Sequence, residues 1–250
     1  MRFAEKIVLL SGASGGIGAA TAKLFAEEGA RLAIVGRDPR RTKKVAEQSR
    51  AFMASTADIT DPQICCKLIR EVTEKGGGLD VLVNNAGMIV RADTAETTDD
   101  QWRQIMAVNL DAPFFLSREA IRVMRRRKQG GAIVHVSSVN GVIGRKTLMA
   151  YSASKGALIQ MTQSMALDCA EDNIRVNAVC PGTTDTPMPF SNHAVPVTRE
   201  EMAERWKQLV PLQRMAAPEE IGRAILFLAS SDASYITGTN LMVDGGVTCG

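Results

Sequence analysis

Residues 7–18 read IVLLSGASGGIG, and this stretch decides the fold. Four aliphatic residues predict a short buried strand, and Gly12, Gly16 and Gly18 predict a tight turn into a helix. A helix that begins directly after such a turn presents free backbone N–H groups to an anion such as pyrophosphate. The stretch therefore predicts the first strand–turn–helix unit of an anion-binding sheet, although a turn without a ligand is an alternative for the loop taken alone.

Short aliphatic runs alternate with longer helical patterns along the rest of the chain. Strands are predicted at 7–10, 32–35, 79–83, 132–136, 174–179 and 240–243, with a weaker candidate at 51–55. Helices are predicted at 16–28, 40–50, 61–75, 98–127, 151–170 and 218–230, the fourth splitting near 111–113 because proline cannot continue a helix interior. Continuous apolar strands bracketed by helices predict an α/β fold with a doubly wound parallel sheet covered on both faces. No linker or repeat divides the chain, so residues 1–250 are expected to form a single domain.

The segment 181–211 departs from this alternation. It contains five prolines and has weak periodicity until residue 199. Loops this long in a compact domain are usually functional or mobile. We therefore expect a substrate-loop insertion at about 183–210.

Composition excludes several classes of protein. The chain has 250 residues, 45% of them hydrophobic, and a formal net charge of +3 with only 4% aromatic residues, so neither nucleic-acid binding nor disorder is predicted. No apolar run approaches the ~20 residues of a membrane span, and no signal peptide is predicted. The five cysteines are irregularly spaced without a CxxC motif, and there are two histidines. We expect reduced thiols, a cytoplasmic location and no metal site.

A rival interpretation starts from the same glycine turn. Gly12, Ser14 and Gly16 also spell G-x-S-x-G, the turn that carries the nucleophilic serine of α/β-hydrolases. The pattern fits poorly, because only eleven residues precede Gly12 and neither His135 nor His193 has a motif around it. Ser14 as a hydrolase nucleophile is the alternative from a different functional class.

Further polar motifs follow the other predicted strands. Asn84-Asn85-Ala86-Gly87 ends the strand 79–83, Ser137-Ser138 ends 132–136, and Pro181-Gly182 ends 174–179. Tyr151 and Lys155 are four residues apart, which places them on one face of a helix. Carboxyl ends of parallel strands are where open α/β sheets bind ligands, so these motifs are expected to meet.

At this point the chain resembles the short-chain dehydrogenase/reductase family, and within it the 3-oxoacyl-[acyl-carrier-protein] reductase and glucose dehydrogenase-like branch. The matching motifs are the S-G-x-x-x-G-I-G loop, N-N-A-G, V-N-L around Asn109, S-S, Y-x-x-x-K, P-G-x-x-x-T and the closing D-G-G. The set spans nearly the whole chain, in order. One departure is Ser11, where threonine is more usual; the hydroxyl is kept, so little consequence is expected. The resemblance implies a Rossmann fold with a seven-stranded sheet.

The resemblance implies hydride transfer between a nicotinamide and a ketone or secondary alcohol. Tyr151 would be the acid/base, Lys155 would favour its phenolate form and bind the nicotinamide ribose, Ser138 would hold the substrate oxygen, and Asn109 would order a water molecule next to Lys155. A catalytically inactive dinucleotide-binding regulator on this fold is a further alternative. The family pattern assigns cofactor binding to Gly12, Ser14, Gly15, Gly16, Ile17, Gly18, Arg37, Asp58, Ile59, Asn85, Ala86, Gly87, Tyr151, Lys155, Pro181, Gly182, Thr184 and Thr186. Asp58 has a plainer alternative as the cap of the helix that starts near residue 61.

The end of the second strand bears on which cofactor binds. An acidic residue there would accept from the adenosine ribose and repel a 2′-phosphate, whereas this chain has Gly36 followed by Arg37, which can pair with phosphate. Asp38 stands where the general fingerprint places its ribose-binding acid, but it also precedes Pro39 and is suited to start a helix. NADP(H) is favoured, and NAD(H) stays possible.

The substrate is the least specified feature. An apolar lid is expected from Met188, Phe190, Val195, Met202 and Trp206, with Arg145 and Lys146 near the site but no arginine pair that stands out as a carboxylate clamp. His193 lies in the same loop, where it could contact substrate or solvent. The expected partner is a small carbonyl or alcohol. The resemblance also implies a homotetramer, built from helices near 111–127 and 151–170.

Overall fold

Parallel strands in the order β3-β2-β1-β4-β5-β6-β7 form the sheet at the centre of this computed structural model, which describes residues 1–191 and 197–249. Each neighbouring pair is parallel. The predicted doubly wound seven-stranded sheet is therefore confirmed. The strands are β1 Ile7–Ser11, β2 Arg31–Gly36, β3 Met53–Thr56, β4 Val81–Asn84, β5 Gly131–Val136, β6 Ile174–Pro181 and β7 Asn240–Val243.

Helices cover both faces of the sheet. They are α1 Gly16–Glu27, α2 Pro39–Ser49, α3 Pro62–Gly76, α4 Asp99–Met106, α5 Ala112–Arg127, α6 Met149–Cys169, α7 Arg199–Leu209 and α8 Pro218–Ala229. Residues alternate along β1, so that Leu9 packs in the layer formed with α3, α5 and α6, while Val8 and Leu10 pack in the layer formed with α1, α2 and α8. Both faces of β1 are buried, which explains its uninterrupted apolar sequence.

The expected split of the fourth helical stretch takes an unexpected form. A π-helical turn, Ala107–Asp111, joins α4 to α5, and the backbone stays helical through Ala112. Pro113 lies in the first turn of α5, where a missing N–H is tolerated. Strand and helix bounds elsewhere differ from the predicted ones by a few residues; β4, for example, begins at Val81 rather than at residue 79.

The strand order reverses between β1 and β4. From β1 the chain proceeds outward to β2 and β3, and it then returns to β4 on the other side. Loops that leave β1 and β4 therefore diverge and open a cleft at the carboxyl ends of the strands. None of the helices in the described segments combines the length and apolar character needed to cross a bilayer.

Candidate active site

A cleft of about 580 Å³ lies at the switch point between β1 and β4. It is lined by loops that follow β1, β2, β3, β4, β5 and β6. All of the predicted catalytic and cofactor-binding residues line it, with the exception of Asn109. The cleft thus brings together residues from positions 12 to 186 of the sequence.

The glycine loop after β1 has no room for a side chain at Gly12 or Gly18. A Cβ atom on Gly12, whose φ is +67°, would lie 2.6 Å from the Cα of Ala86, and one on Gly18 would lie 2.2 Å from the Gly12 carbonyl oxygen. Helix α1 begins after Gly15, which has no side chain to cap the first N–H groups. These groups face the cleft, so the residues present fit a bound pyrophosphate.

Ser11 joins this loop to the one after β4. Its hydroxyl oxygen accepts hydrogen bonds from the backbone N–H groups of Asn85 (3.1 Å) and Ala86 (3.2 Å). The Asn85 amide donates in return to the carbonyl oxygens of Ser11 (3.1 Å) and Gly12 (3.0 Å). Serine in place of the more usual threonine therefore retains the hydroxyl contact.

The residues after β2 bear on whether Arg37 would bind a 2′-phosphate or Asp38 would bind the adenosine ribose. Asp38 caps α2, because its carboxylate accepts from the Arg41 N–H at 2.9 Å and lies 3.5 Å from the Arg41 guanidinium. Arg37 and Arg41 line the cleft. A Cβ atom on Gly36 would lie 2.5 Å from the Thr42 hydroxyl, so an acidic side chain does not fit at that position without a rearrangement.

Asp58 and Ile59 lie at the same end of the cleft, after β3. The Asp58 carboxylate accepts hydrogen bonds from the Thr60 N–H (3.0 Å) and hydroxyl (2.8 Å), which lower the pKa of Asp58. Helix α3 is capped by Asp61, which accepts from Gln63 at 2.7 Å. The alternative role of Asp58 as a helix cap thus belongs to Asp61.

Tyr151, Lys155 and Ser138 meet at the other end of the cleft. Lys155 donates to the Val136 carbonyl at 2.8 Å, and its Nζ lies 5.8 Å from the centre of the Tyr151 ring. Burial lowers the pKa of Lys155 to about 8 and raises the pKa of Tyr151. For Tyr151 the Ser138 hydroxyl and the Arg91 charge oppose this rise. Burial thus has the larger effect on the Tyr151 phenol, and Ser138 and Arg91 act against it.

Asn109 lies behind this group, in the π-helical turn, and is fully buried. Its side chain accepts from the Met88 N–H (2.9 Å) and donates to the Met88 carbonyl (3.0 Å) and the Ser154 hydroxyl (3.0 Å). A Cβ atom on Gly87 would lie 3.5 Å from both the Asn109 carbonyl oxygen and the Lys155 Nζ. Asn109 therefore holds the loop after β4 beside Lys155, and its expected role with a water molecule stays a prediction.

His135, on β5, is fully buried and is not among the residues that line the cleft. Its ring nitrogens lie 2.8 Å from the Thr162 hydroxyl and 3.1 Å from the Ser117 hydroxyl, and Ser117 accepts from Asn84 at 2.9 Å. Burial lowers the pKa of His135 to about 3. In the described part of the chain no histidine accompanies Ser14, and no three potential metal ligands converge. The Ser14 hydrolase interpretation lacks its base there.

The loop after β6 closes the far side of the cleft. A Cβ on Gly16 would lie 3.1 Å from the Thr186 methyl group, and one on Gly182 would lie 2.8 Å from the Asp244 Cα. Met188, Met202 and Trp206 line the cleft, and the Trp206 indole N–H lies 2.8 Å from the Met202 sulfur. Phe190 was expected in this lid, but it lies 5.4 Å from the Arg199 guanidinium and outside the lining residues. His193 and Val195 fall outside the described residues.

Sequence reasoning missed Arg91. This residue follows Gly87 by four positions and belongs to no motif. It is half-buried, lines the cleft and donates to the carbonyl oxygens of Ser191 (3.3 Å) and Pro189 (3.4 Å). Arg205, on α7, lines the same end and was also missed.

Comparison with known proteins shows which family the chain is similar to. Residues 12–248 match the family described as Enoyl-(Acyl carrier protein) reductase. The chain is 39% identical to the meso-2,3-butanediol dehydrogenase of Serratia marcescens, over 99% of this chain and 96% of that protein. It is 36% identical to the NADP-dependent (R)-specific alcohol dehydrogenase of Lentilactobacillus kefiri, over 99% and 98%.

A solved structure has the same fold over nearly the whole chain. A short-chain type dehydrogenase/reductase from Mycobacterium marinum superposes with a TM-score of 0.91 at 30% identity, over 99% of this chain and 97% of that one. The family match, the sequence relatives and the solved structure thus agree on the family and the fold. The chain belongs to the short-chain dehydrogenase/reductase family and is an oxidoreductase of the dehydrogenase type.

Proposed function

We propose that this protein oxidises a secondary alcohol or reduces the matching ketone, with Tyr151 as the acid/base. The proposal is carried by the buried Tyr151 phenol, which lies in the cleft beside Ser138 and one helical turn from Lys155. Dehydrogenases among the relatives act on alcohols and so support the substrate class. Turnover of a secondary alcohol before and after the replacement Tyr151→Phe tests the proposal.

Each residue of the group has a distinct task at the substrate oxygen. A bound nicotinamide supplies the hydride chemistry. The Ser138 hydroxyl holds the oxygen, and Tyr151 takes its proton during alcohol oxidation or returns one during ketone reduction. The Lys155 ammonium, charged below a pKa of about 8, favours the phenolate over the phenol.

NADP(H) is the cofactor we favour. Gly36 leaves no space for the acid that would repel a 2′-phosphate, while Arg37 and Arg41 line the cleft beside it. Asp38, the residue that argued for NAD(H), is engaged as the cap of α2. These contacts support a phosphate-binding pocket after β2, with NAD(H) as the weaker alternative.

The replacement Arg37→Ala is expected to lower the ratio of kcat/KM for NADPH over NADH at least tenfold, because a charge-assisted pair contributes roughly 1.5–3 kcal/mol. Steady-state kinetics with both cofactors measure this ratio. Lys43→Ala removes one exposed charge from α2, the helix that follows Arg37, outside the cleft and is the matched control. Wild-type preference for NADH, or a ratio unchanged in Arg37→Ala, would overturn the assignment.

The loop at about 183–210 is proposed as the substrate-binding segment. Its described residues Met188, Met202, Trp206 and Leu209 supply apolar surface at the Tyr151 end of the cleft.

A cytoplasmic location stays our prediction, on the basis of the cysteine content.

Self-association as a homotetramer is a separate proposal. Phe114 on α5 and Leu167 on α6 are 38% and 81% exposed, which is unusual for such large apolar side chains and fits isologous contacts between copies. Light scattering is expected to give the mass of four 26.9-kDa chains. The mass of a single chain at working concentration would contradict the proposal.

A further inference from the structure

Four cationic side chains line the Tyr151 end of the cleft. Arg91 follows β4, Arg145 and Lys146 precede α6, and Arg205 lies on α7. The first two segments are held together, because the Ala92 N–H donates to the Thr147 carbonyl at 3.0 Å. Helix α7, the third segment, contacts the second through Arg145, whose guanidinium lies 5.9 Å from the centre of the Trp206 ring. Three separate parts of the chain thus bring positive charge to the same place.

No carboxylate in the described part of the chain pairs with any of these four groups at 4.0 Å or less. Other arginines nearby are paired: Arg199 with Asp185 at 2.7 Å, and Arg214 with Glu220 at 2.7 Å. Among the described residues that line the cleft, the one acid is Asp58, which lies after β3 at the opposite end. The excess of positive charge at the Tyr151 end is therefore not neutralised within that part of the protein.

Arg91 is half-buried and lies close enough to Tyr151 for its charge to lower the pKa of that phenol. Its desolvation and the neighbouring Arg205 both lower its pKa, so the protein destabilises this charge rather than compensating it. In the described residues its bonds to Pro189 and Ser191 use two of the five guanidinium N–H groups. Donors that remain on a half-buried guanidinium fit a planar or tetrahedral oxoanion.

We propose that the physiological substrate is a secondary alcohol or ketone that carries an oxoanion (carboxylate, sulfonate or phosphate), held by Arg91 with help from Arg145 and Arg205. The inference rests on the proposed dehydrogenase function and refines it. A small anionic molecule fits better than an acidic protein surface, because Arg91 and Arg145 are half-buried within the cleft. Arg37 and Arg41, at the other end, are left for the cofactor.

Matched pairs of alcohols test the proposal. The pairs are 3-hydroxybutyrate with butane-1,3-diol, 2-hydroxypropane-1-sulfonate with propane-1,2-diol, and glycerol 3-phosphate with glycerol. We expect kcat/KM to be at least tenfold higher for the anionic member of at least one pair, mainly through a lower KM, and the three pairs identify the oxoanion. No preference for any anionic member, with the neutral alcohols turned over, would overturn this inference and leave the dehydrogenase proposal standing.

Arginine variants locate the effect. Arg91→Gln is expected to lower the anionic-to-neutral ratio of kcat/KM at least tenfold, and Arg91→Lys should restore part of it. Arg145→Gln and Arg205→Gln should each lower the ratio as well, and Arg205 is exposed, so its replacement leaves the core intact. Arg70→Gln removes an exposed charge on α3 outside the cleft and should leave the ratio unchanged. A ratio unaffected by all three cleft variants would overturn the assignment.

Binding provides a readout independent of turnover. Calorimetry with each of the three anionic alcohols, on protein saturated with reduced cofactor, which cannot oxidise them, should detect binding that Arg91→Gln weakens at least tenfold. If no alcohol is oxidised but this binding is found, the dehydrogenase proposal fails while the anion site stands. Absence of binding for all three would overturn the inference.

Discussion

The variant Tyr151→Phe is expected to lose about 10²- to 10⁴-fold in kcat, which is the usual contribution of a positioned general acid or base. The change removes one hydroxyl from a buried ring and leaves the contacts of that ring in place, so the fold should persist. The cofactor should still bind, since the glycine loop and the end of β2 are untouched. Absorbance of the reduced nicotinamide measures kcat, and quenching of protein fluorescence measures cofactor affinity.

Tyr235 provides the matched control. It is the second tyrosine of the chain and is fully exposed, so Tyr235→Phe makes the same chemical change away from the cleft and should leave kcat unchanged. Near-normal turnover by Tyr151→Phe would show that another group transfers the proton. Absence of turnover in the wild type with any alcohol would instead favour the inactive dinucleotide-binding regulator.

Replacing Lys155 by Met is expected to move activity and stability in opposite directions. Activity should fall at least ~100-fold, because the phenolate loses its cationic neighbour. The free energy of unfolding at pH 7 should rise, because burial lowers the pKa of Lys155 from 10.5 to about 8. That difference corresponds to roughly 3 kcal/mol of destabilisation while both states are charged. Loss of the bond to Val136 offsets about 1 kcal/mol of the gain.

The pH dependence of this gain follows from the same pKa values. Below pH 8 both the folded and the unfolded lysine are charged, so the full cost of burial is present in the wild type. Between pH 8 and 10.5 the folded lysine is neutral, and the cost disappears as the pH rises. Urea unfolding at pH 7 and pH 9.5 should thus show a larger advantage of Lys155→Met at pH 7. Lys43→Met, at an exposed position, should show no such gain; equal or lower stability of Lys155→Met at pH 7 would refute the burial argument.

Local patterns were sufficient to predict most of the fold and much of the site. Strands such as β1 are buried on both faces, so their apolar runs stand out in the sequence. The glycine loop could be predicted because close backbone approach admits no side chain at Gly12 or Gly18. Tyr151 and Lys155 could be paired because helical geometry places residues i and i+4 on one face.

Features set by tertiary contacts could not be predicted in this way. Asp38 satisfied two local patterns equally, and only the position of the α2 N-terminus shows that its carboxylate is used as a cap. Arg91 lies in a segment without periodicity and reaches the cleft because Ala92 pairs with the backbone before α6. The π-helical turn at Ala107–Asp111 leaves no local mark, although it carries Asn109.

The buried His135, on the strand that leads to Ser138, makes the stability of the fold depend on pH. The unfolded histidine takes up a proton near pH 6.5, whereas the folded one resists protonation until about pH 3. Stability contributed by the neutral ring is therefore complete above pH 6.5 and declines as the pH falls toward 3. The bonds of His135 to Ser117 and Thr162, which join β5 to α5 and α6, hold the neutral ring in the folded state, whereas acid favours the unfolded chain because its histidine can be charged. We therefore expect the free energy of unfolding to fall between pH 6.5 and 3 through a residue that does not line the cleft.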